Sequence, residues 1–188
     1  AVELVRQGTR KGVRVTAEAT PHHFTLTDDA VGAYDTHAKM SHPLRALSDR
    51  DAVLEGLGDG TIDAIATDHA PHHCDEKCVE FSRAPFGIVG LETAVSIGLD
   101  LLVQRGRIPL PRLVELFTNG PSGVLRLTYG TLSTGAVADC TGLDLDREVT
   151  VRGEEFVSKS DNSPFLGWTL RGAPVMSVVG GRVVHDAR

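Results

Sequence analysis

Residues 59–73, DGTIDAIATDHAPHH, contain a short apolar run that changes abruptly into acidic and imidazole side chains. The length and composition of the run at 62–67 predict a buried strand. Asp68 and His69 follow at the carboxyl end of that strand. Because the active-site groups of α/β barrels lie at the carboxyl ends of the strands, this stretch predicts a parallel α/β fold with a functional site beside Asp68.

The surrounding sequence extends this pattern. Residues 13–19, VRVTAEA, alternate between apolar and polar side chains and predict a second strand, which Pro21 ends. Helices are predicted at 1–11, 27–33, from 48, at 91–104, at 111–118 and from 121. The alternation over residues 1–128 is typical of a parallel α/β domain. Two strands cannot form a barrel or a wide sheet, so they are expected to belong to a larger body.

From about residue 129 the sequence becomes glycine-rich with short β-like runs. Gly180 and Gly181 separate two apolar runs and predict a hairpin turn. Residues 129–188 are therefore expected to form part of a small antiparallel β unit. Cys140 and Trp168 are expected to pack inside it.

The composition limits the classes of function. The chain has 188 residues, of which 41% are hydrophobic and 23% charged, as is usual for globular domains. The formal net charge of −6 argues against a nucleic-acid partner. No apolar run approaches the roughly 18 residues that a membrane span needs. Three cysteines do not suggest a disulfide framework, which favours a reducing, cytoplasmic location.

The chain opens at Ala1 on a helical pattern that has no capping residue before it. We therefore expect a further segment upstream in the complete protein. The apolar residues of this first helix are expected to face the core, namely Val2, Leu4 and Val5.

Two polar clusters follow the predicted strands. The first consists of Asp68 and the histidines after it, His69, His72 and His73. Carboxylate oxygens and imidazole nitrogens suit a divalent metal; the alternative is that Asp68 caps a turn and the histidines are solvated. The second cluster contains Glu18, His22 and His23. If the strands are neighbours, both clusters face one mouth; otherwise the second is a surface histidine pair.

The loop after Asp68 is longer than most connections, which favours a functional role. Cys74 and Cys78, with the histidines before them, offer a weaker pattern for a structural zinc site. The alternative is a mobile loop in which Glu76 and Lys77 are solvated.

Five blocks of the sequence together resemble the bacterial type I dihydroorotases of the amidohydrolase superfamily. They are VTAEATPHHFTLTDDAV (15–31), YDTHAKMSHPLR (34–45), DGTIDAIATDHAPHHCDEK (59–77), EFSRAPFGIVGLETA (80–94) and SKSDNSPFLGWTLRG (158–172). The resemblance implies that residues 1–128 are the last part of a (β/α)8 metal-dependent hydrolase barrel. It also implies that residues 129–188 are the C-terminal portion of a small β-sandwich.

The resemblance further implies a centre of one or two Zn²⁺ ions. Only the last ligand of the family's set is present here, as Asp68; the others would lie upstream, with Glu18 and His23 as accessory neighbours. Asp68 is also the implied catalytic acid and base for hydrolysis of the cyclic amide of dihydroorotate to carbamoyl aspartate.

The same resemblance assigns the substrate contacts. His72 matches a histidine that binds the substrate carboxylate, and Phe86 and Gly87 match a stretch whose backbone contacts the pyrimidine ring. Ser41 stands where the family commonly has an asparagine. A hydroxyl cannot reproduce the paired hydrogen bonds of an amide, so the contact at Ser41 is expected to be altered.

Two other functions remain open from the sequence. One is a cyclic amidase similar to hydantoinase or allantoinase. The other is an inactive dihydroorotase homologue that scaffolds aspartate transcarbamoylase. A homo-oligomer and a complex with aspartate transcarbamoylase are the expected assemblies, and no nucleic-acid or membrane partner is expected.

Overall fold

The computed structural model describes residues 1–187. The α-helices within this range are α1 (Val2–Arg10), α2 (Pro21–Thr25), α3 (Leu47–Asp59), α4 (Cys74–Lys77), α5 (Ala94–Ile97), α6 (Leu110–Phe117) and α7 (Asn119–Leu125). α5 continues as a π-helix over Gly98–Gln104, and 3-10 turns lie at Asp28–Val31, Thr36–Ala38 and Gly153–Glu155. The strands are β1 (Glu18–Ala19), β2 (Ala64–Ile65), β3 (Cys140–Thr150), β4 (Thr169–Val179) and β5 (Arg182–Asp186).

The two predicted strands are neighbours. β1 and β2 pair in parallel, with Ala19 opposite Ile65. The pairing continues beyond both ends through backbone hydrogen bonds of 2.8–3.0 Å. Both strands are shorter than predicted, because residues 13–16 do not reach β2 and are exposed to solvent.

A third segment runs beside the chain that leaves β2. His69 and Ile88 form a parallel bridge, and the backbone N–H of Ala70 donates to the carbonyl of Ile88 at 2.8 Å. Ile88, where the long loop after Asp68 ends, therefore lies directly beside the residues that follow Asp68.

Helices cover the parallel pair and complete the core. Residues that are almost fully buried include Leu57, Ile97, Leu99, Leu116 and Phe165. Gly120, in α7, shows how closely the elements approach, since a Cβ atom there would lie 2.0 Å from the carbonyl oxygen of Asp63. Only glycine fits at this position, and the start of α7 can therefore lie against the beginning of β2.

β3, β4 and β5 form a three-stranded antiparallel sheet in that order. The turn at Gly180 and Gly181 joins β4 to β5, as predicted, and both glycines have positive φ. The sheet is continuous with the rest of the core, because Leu170 of β4 belongs to the same hydrophobic cluster as Leu99. Cys140 is exposed at the start of β3, which corrects its predicted burial.

Other sequence expectations are partly corrected. The predicted helix at 27–33 is a 3-10 turn, and the predicted helix at 91–104 begins at Ala94. Leu4 is 72% exposed, whereas Val2 packs against the core, because α1 presents only one face to α3. Trp168 packs edge-on against Phe165 with ring centroids 5.2 Å apart, as expected for a packed residue. Within residues 1–187, no helix has the length and apolar character to cross a membrane.

Candidate active site

A cavity of about 520 Å³ runs along β1 and β2 beside α1, from Ala17 and Ile62 before the strands to Asp68 after β2. Its walls include Glu18 of β1, His23 of α2 and Asp68, which follows β2. The parallel pairing of the two strands brings Asp68 of the first predicted cluster and Glu18 and His23 of the second to one cavity. Other polar residues complete the wall, namely Thr20, His42, Arg45 and Asp49.

Asp68 sits at the point where the chain leaves β2. Its backbone adopts a φ of +49°, a left-handed conformation that costs a non-glycine residue about 1–2 kcal/mol. The side chain is exposed to the cavity, and no hydrogen bond or ion pair holds its carboxylate within residues 1–187. The carboxylate is thus free to accept a proton or to bind a cation.

The ring of His69, unlike the carboxylate of Asp68, is engaged in hydrogen bonds. Its Nδ1 accepts hydrogen bonds from the backbone N–H groups of Gly90 (3.1 Å) and Leu91 (3.4 Å), so the proton of the neutral ring lies on Nε2. Nε2 is 3.4 Å from the hydroxyl of Ser158, which also contacts the carboxylate of Glu92. His69 therefore anchors the loop and does not line the cavity.

Glu92 completes this chain of contacts. Burial raises the pKa of Glu92, but hydrogen bonds from the hydroxyl and backbone N–H of Ser158 outweigh it and hold the pKa below its usual value. The carboxylate accepts the backbone N–H of Ser158 at 2.9 Å. Glu92 is thereby kept ionised, and Ser158 is held between it and the ring of His69.

The two histidines of α2 have different environments. The Nδ1 of His23 lies 2.6 Å from the hydroxyl of Thr20, and its Nε2 lies 2.8 Å from the carbonyl of His42. A carbonyl can only accept, so Nε2 carries a proton and Nδ1 accepts from Thr20. His22 is 2% exposed, and burial, with the neighbouring His23, lowers its pKa to about 3. His22 is therefore neutral and does not line the cavity.

The predicted substrate-binding residues of the loop are brought together. The Nε2 of His72 lies 2.9 Å from the carbonyl of Phe86. Gly87 has a φ of +115°, and a Cβ atom there would lie 2.6 Å from the Cβ of Ala70. Ser41 is exposed on a separate segment, next to His42 at the cavity wall.

Two buried lysines donate hydrogen bonds to backbone carbonyls of the loop, and the sequence pattern did not predict their burial. Lys39 is 8% exposed, and its ammonium donates to the carbonyls of Phe81 (2.6 Å), Ser82 (3.2 Å) and Ala84 (2.6 Å). The same ammonium lies 4.7 Å from the ring centroid of Phe86, within cation–π distance. The ammonium group of Lys39 therefore contacts several of the loop residues that precede Gly87.

Lys77 is the second of these lysines. It is 2% exposed and donates to the carbonyls of Thr36 (3.0 Å) and Pro85 (2.9 Å). This corrects the expectation that Lys77 is solvated. Burial lowers the pKa of Lys77 to about 8, and the nearby charge of Lys39 contributes to the shift. Clusters of carbonyls around an ammonium leave no periodic pattern in a sequence, so pattern reasoning could not find them.

The structure brings together His73, Cys74 and Asp75 in an exposed group whose ligand atoms lie within 4.8 Å of one another, and this group does not include Cys78 of the weaker predicted zinc pattern. The Nδ1 of His73 already accepts the backbone N–H of Asp75 at 3.2 Å. Glu76 accepts the backbone N–H of His73 in return, at 2.9 Å. The imidazole therefore caps α4.

The fold recurs in solved structures of cyclic-amide hydrolases. An L-hydantoinase (dihydropyrimidinase) from Arthrobacter aurescens has a TM-score of 0.94 and 33% identity, over 99% of this chain and 42% of that one. A D-hydantoinase (dihydropyrimidinase) from Thermus sp. has a TM-score of 0.92 and 26% identity, over 100% of this chain and 43% of that one. No family model matches the chain. The fold is therefore that of the C-terminal part of the hydantoinase-like proteins of the amidohydrolase superfamily.

Sequence similarity identifies the family within this superfamily to which the chain belongs. A dihydroorotase from Geobacter sp. (strain M21) is 53% identical over 187 residues, and one from Halalkalibacterium halodurans is 48% identical over 188 residues. The chain belongs to the dihydroorotase family and corresponds to its C-terminal portion. It is matched over its full length and spans 44% of the length of these relatives.

Proposed function

We propose that the protein containing this chain is a dihydroorotase, which hydrolyses the cyclic amide of dihydroorotate to carbamoyl aspartate and catalyses the reverse closure. The observation that carries the proposal is the unpartnered carboxylate of Asp68 in the cavity along the strands, in a chain 53% identical to a dihydroorotase. Identity to the solved L-hydantoinase is lower, at 33%. This difference favours dihydroorotate over hydantoin as the substrate.

The larger fold is part of this proposal. Residues 1–128 would supply the last strands of a (β/α)8 barrel, and the antiparallel sheet within residues 129–188 would contribute to a β-sandwich. Because β1 and β2 form a parallel pair with the polar residues at their carboxyl ends, the arrangement agrees with the mouth of such a barrel.

The donor groups in the cavity fit a divalent metal in part. Asp68 offers a free carboxylate, and Glu18 offers a second oxygen donor in the same wall. Both ring nitrogens of His23 are engaged, so His23 would have to give up one hydrogen bond to bind a metal. A catalytic zinc takes three protein ligands, and we propose that the remaining ones come from residues outside this sequence. Bound zinc would supply a water of lowered pKa and polarise an amide carbonyl.

The proton transfers are assigned to Asp68. Its carboxylate removes a proton from the attacking water, whose oxygen bonds to the carbonyl carbon of the ring amide. The carbon–nitrogen bond then breaks, and Asp68 delivers the proton to the ring nitrogen. In the direction of ring closure Asp68 takes a proton from the carbamoyl nitrogen as this nitrogen bonds to the carboxyl carbon, and delivers it to the departing hydroxide, which leaves as water.

The loop supplies the substrate contacts. Backbone groups at Phe86 and Gly87 are proposed to face the ring, and His72 to bind the substrate carboxylate. In the structure the Nε2 of His72 donates to the carbonyl of Phe86, so only Nδ1, when protonated, can donate to a carboxylate without breaking that bond.

A substrate comparison tests the proposal. The full-length protein is purified with zinc in the medium, and ring opening is measured with dihydroorotate, hydantoin and allantoin. We expect kcat/KM for dihydroorotate to exceed that of the other two by at least about a hundredfold. A preference for hydantoin or allantoin would support the cyclic amidase alternative. Failure to turn over any of the three, with retained binding to aspartate transcarbamoylase, would support the scaffold alternative.

A further inference from the structure

Asn162 lies below the loop, in a segment between β3 and β4, and is 1% exposed. Its Oδ1 accepts hydrogen bonds from the backbone N–H of His72 (3.0 Å) and from the hydroxyl of Ser160 (2.8 Å). Its Nδ2 donates to the carbonyls of Ala70 (3.1 Å) and Gly87 (3.2 Å). All four hydrogen-bonding positions of the amide are thus used.

These bonds reach both sides of the loop. Ala70 and His72 belong to the limb that leaves β2, whereas Gly87 belongs to the limb that returns. The backbone carbonyl of Asn162 also accepts the N–H of Val89 at 3.0 Å, which is a second bond to the returning limb. The two limbs are in close contact at Gly87, where a side chain would collide with Ala70.

We propose that Asn162 is a positioning residue that sets the separation between His72 and the backbone of Phe86 and Gly87. This inference rests on the proposed function, in which these two groups bind opposite parts of one substrate. The acceptor side of the amide holds the outgoing limb at His72, and the donor side holds the returning limb at Gly87. No other natural side chain of this size offers both.

Ser160 supports the same arrangement. Its hydroxyl lies within hydrogen-bonding distance of two acceptors, the backbone carbonyl of His72 and the Oδ1 of Asn162, and its single proton is shared between them. It therefore orients the amide and reinforces the hold on His72. The effect of losing Ser160 should resemble that of losing Asn162 but be smaller, because the amide keeps its bonds to both limbs.

Asn162→Asp is the sharpest substitution. It preserves size and the acceptor side, but it places an oxygen against the carbonyls of Ala70 and Gly87, where an N–H group donated. Ser160→Ala provides a milder second variant in case the aspartate variant does not fold. Ser163→Ala is the matched control, since Ser163 is 3% exposed in the same segment and, among residues 1–187, its hydroxyl accepts only the N–H of Phe165 (3.2 Å).

The experiment measures steady-state kinetics with dihydroorotate and, separately, cleavage of the full-length protein by trypsin after Arg83, whose side chain is exposed in the loop. We expect Asn162→Asp to raise KM by at least about tenfold with kcat changed less than about threefold, and to accelerate cleavage after Arg83. Ser160→Ala should also raise KM and accelerate cleavage after Arg83, and Ser163→Ala should change neither KM nor the rate of cleavage.

Three outcomes decide the inference. Unchanged KM and unchanged cleavage in Asn162→Asp or Ser160→Ala would overturn it, and so would equal effects in Ser163→Ala, which would mean a general loss of packing. If the wild-type protein does not turn over dihydroorotate, the proposed function fails, and cleavage after Arg83 still decides whether Asn162 holds the two limbs together.

Discussion

Asp68 and His72 belong to the same loop, but the structure holds the two sides of the site in different ways. On the strand-end side, the carboxylate of Asp68 faces the cavity without a partner in residues 1–187. On the loop side, His72 is bonded through its backbone and its ring. The ammonium groups of two buried lysines, Lys39 and Lys77, donate to backbone carbonyls in the remainder of the loop.

The difference separates two physical requirements. A group that exchanges a proton or binds a cation needs unoccupied lone pairs, which a dense hydrogen-bond network would consume. Groups that orient a substrate lose less free energy on binding when the fold has already placed them. We therefore propose that the strand-end side of the site transfers the proton and binds the cation, and that the loop side orients the substrate. The following experiments test that division.

The largest effect is expected from Asp68→Asn. The amide preserves the shape of the side chain but cannot accept a proton at neutral pH, so kcat should fall by about 10²–10⁴ while the fold is retained. Circular dichroism and ring-opening assays of the full-length protein measure both properties. Asp75→Asn, at an exposed carboxylate of the same loop, serves as the control. Near-normal turnover in Asp68→Asn would remove Asp68 from the proton transfers.

Lys39→Met should affect stability more than chemistry. Methionine keeps the apolar stem but leaves three carbonyls of the loop without their shared donor, which should cost roughly 2–4 kcal/mol of unfolding free energy. Urea unfolding measures this loss. Lys159→Met, at an exposed lysine, should change it by less than about 0.5 kcal/mol. Equal losses in the two variants would show that the buried ammonium does not stabilise the loop.

His72→Ala should weaken substrate binding without removing metal. Because His72 is assigned to the substrate carboxylate, KM for dihydroorotate should rise about tenfold or more while zinc content stays unchanged. Kinetics and metal analysis of the same preparation test this, with His185→Ala in β5 as the control. Loss of zinc from the His72→Ala variant would show that His72 binds the metal, which would contradict the proposed division.

The smallest effect is expected from the titration of Lys77. Its pKa is about 8 in the folded protein and about 10.4 in an unfolded chain. Between these values the unfolded chain binds more protons at this group, so its contribution to stability rises with pH. The unfolding free energy of the wild type, minus that of Lys77→Met, should therefore increase from pH 8 to pH 10. A difference that stays constant over this range would contradict the buried position of Lys77.

Several elements of the fold were predictable because local patterns encode them. The run at 62–67 ends at Asp68, and the structure places β2 and the cavity there. The glycine pair at 180 and 181 forms the predicted turn. Strand lengths were overestimated, because pairing depends on how far a neighbouring strand extends and not on the alternation of residues 13–19.

The roles of individual histidines were less predictable. His69 and His72 lie in one polar cluster of the sequence, but the ring of His69 is engaged by backbone N–H groups and Ser158. His22 and His23 are adjacent, yet one is buried and the other lines the cavity. A short cluster of histidines fixes the available chemistry, while the direction of each ring depends on contacts with distant segments.

The amino-acid sequence by itself determined the parallel α/β character of the first part and the position of an acidic residue, Asp68, directly after its second strand. These properties follow from local periodicity and from residue types that stand next to each other in the chain. Only the tertiary structure decided that Asn162 bridges the two limbs of the loop and that Lys39, from another segment, and Lys77, from the loop itself, are buried. The physical reason is that these hydrogen bonds join groups far apart in sequence, and whether a polar side chain is buried depends on the partners that folding brings to it.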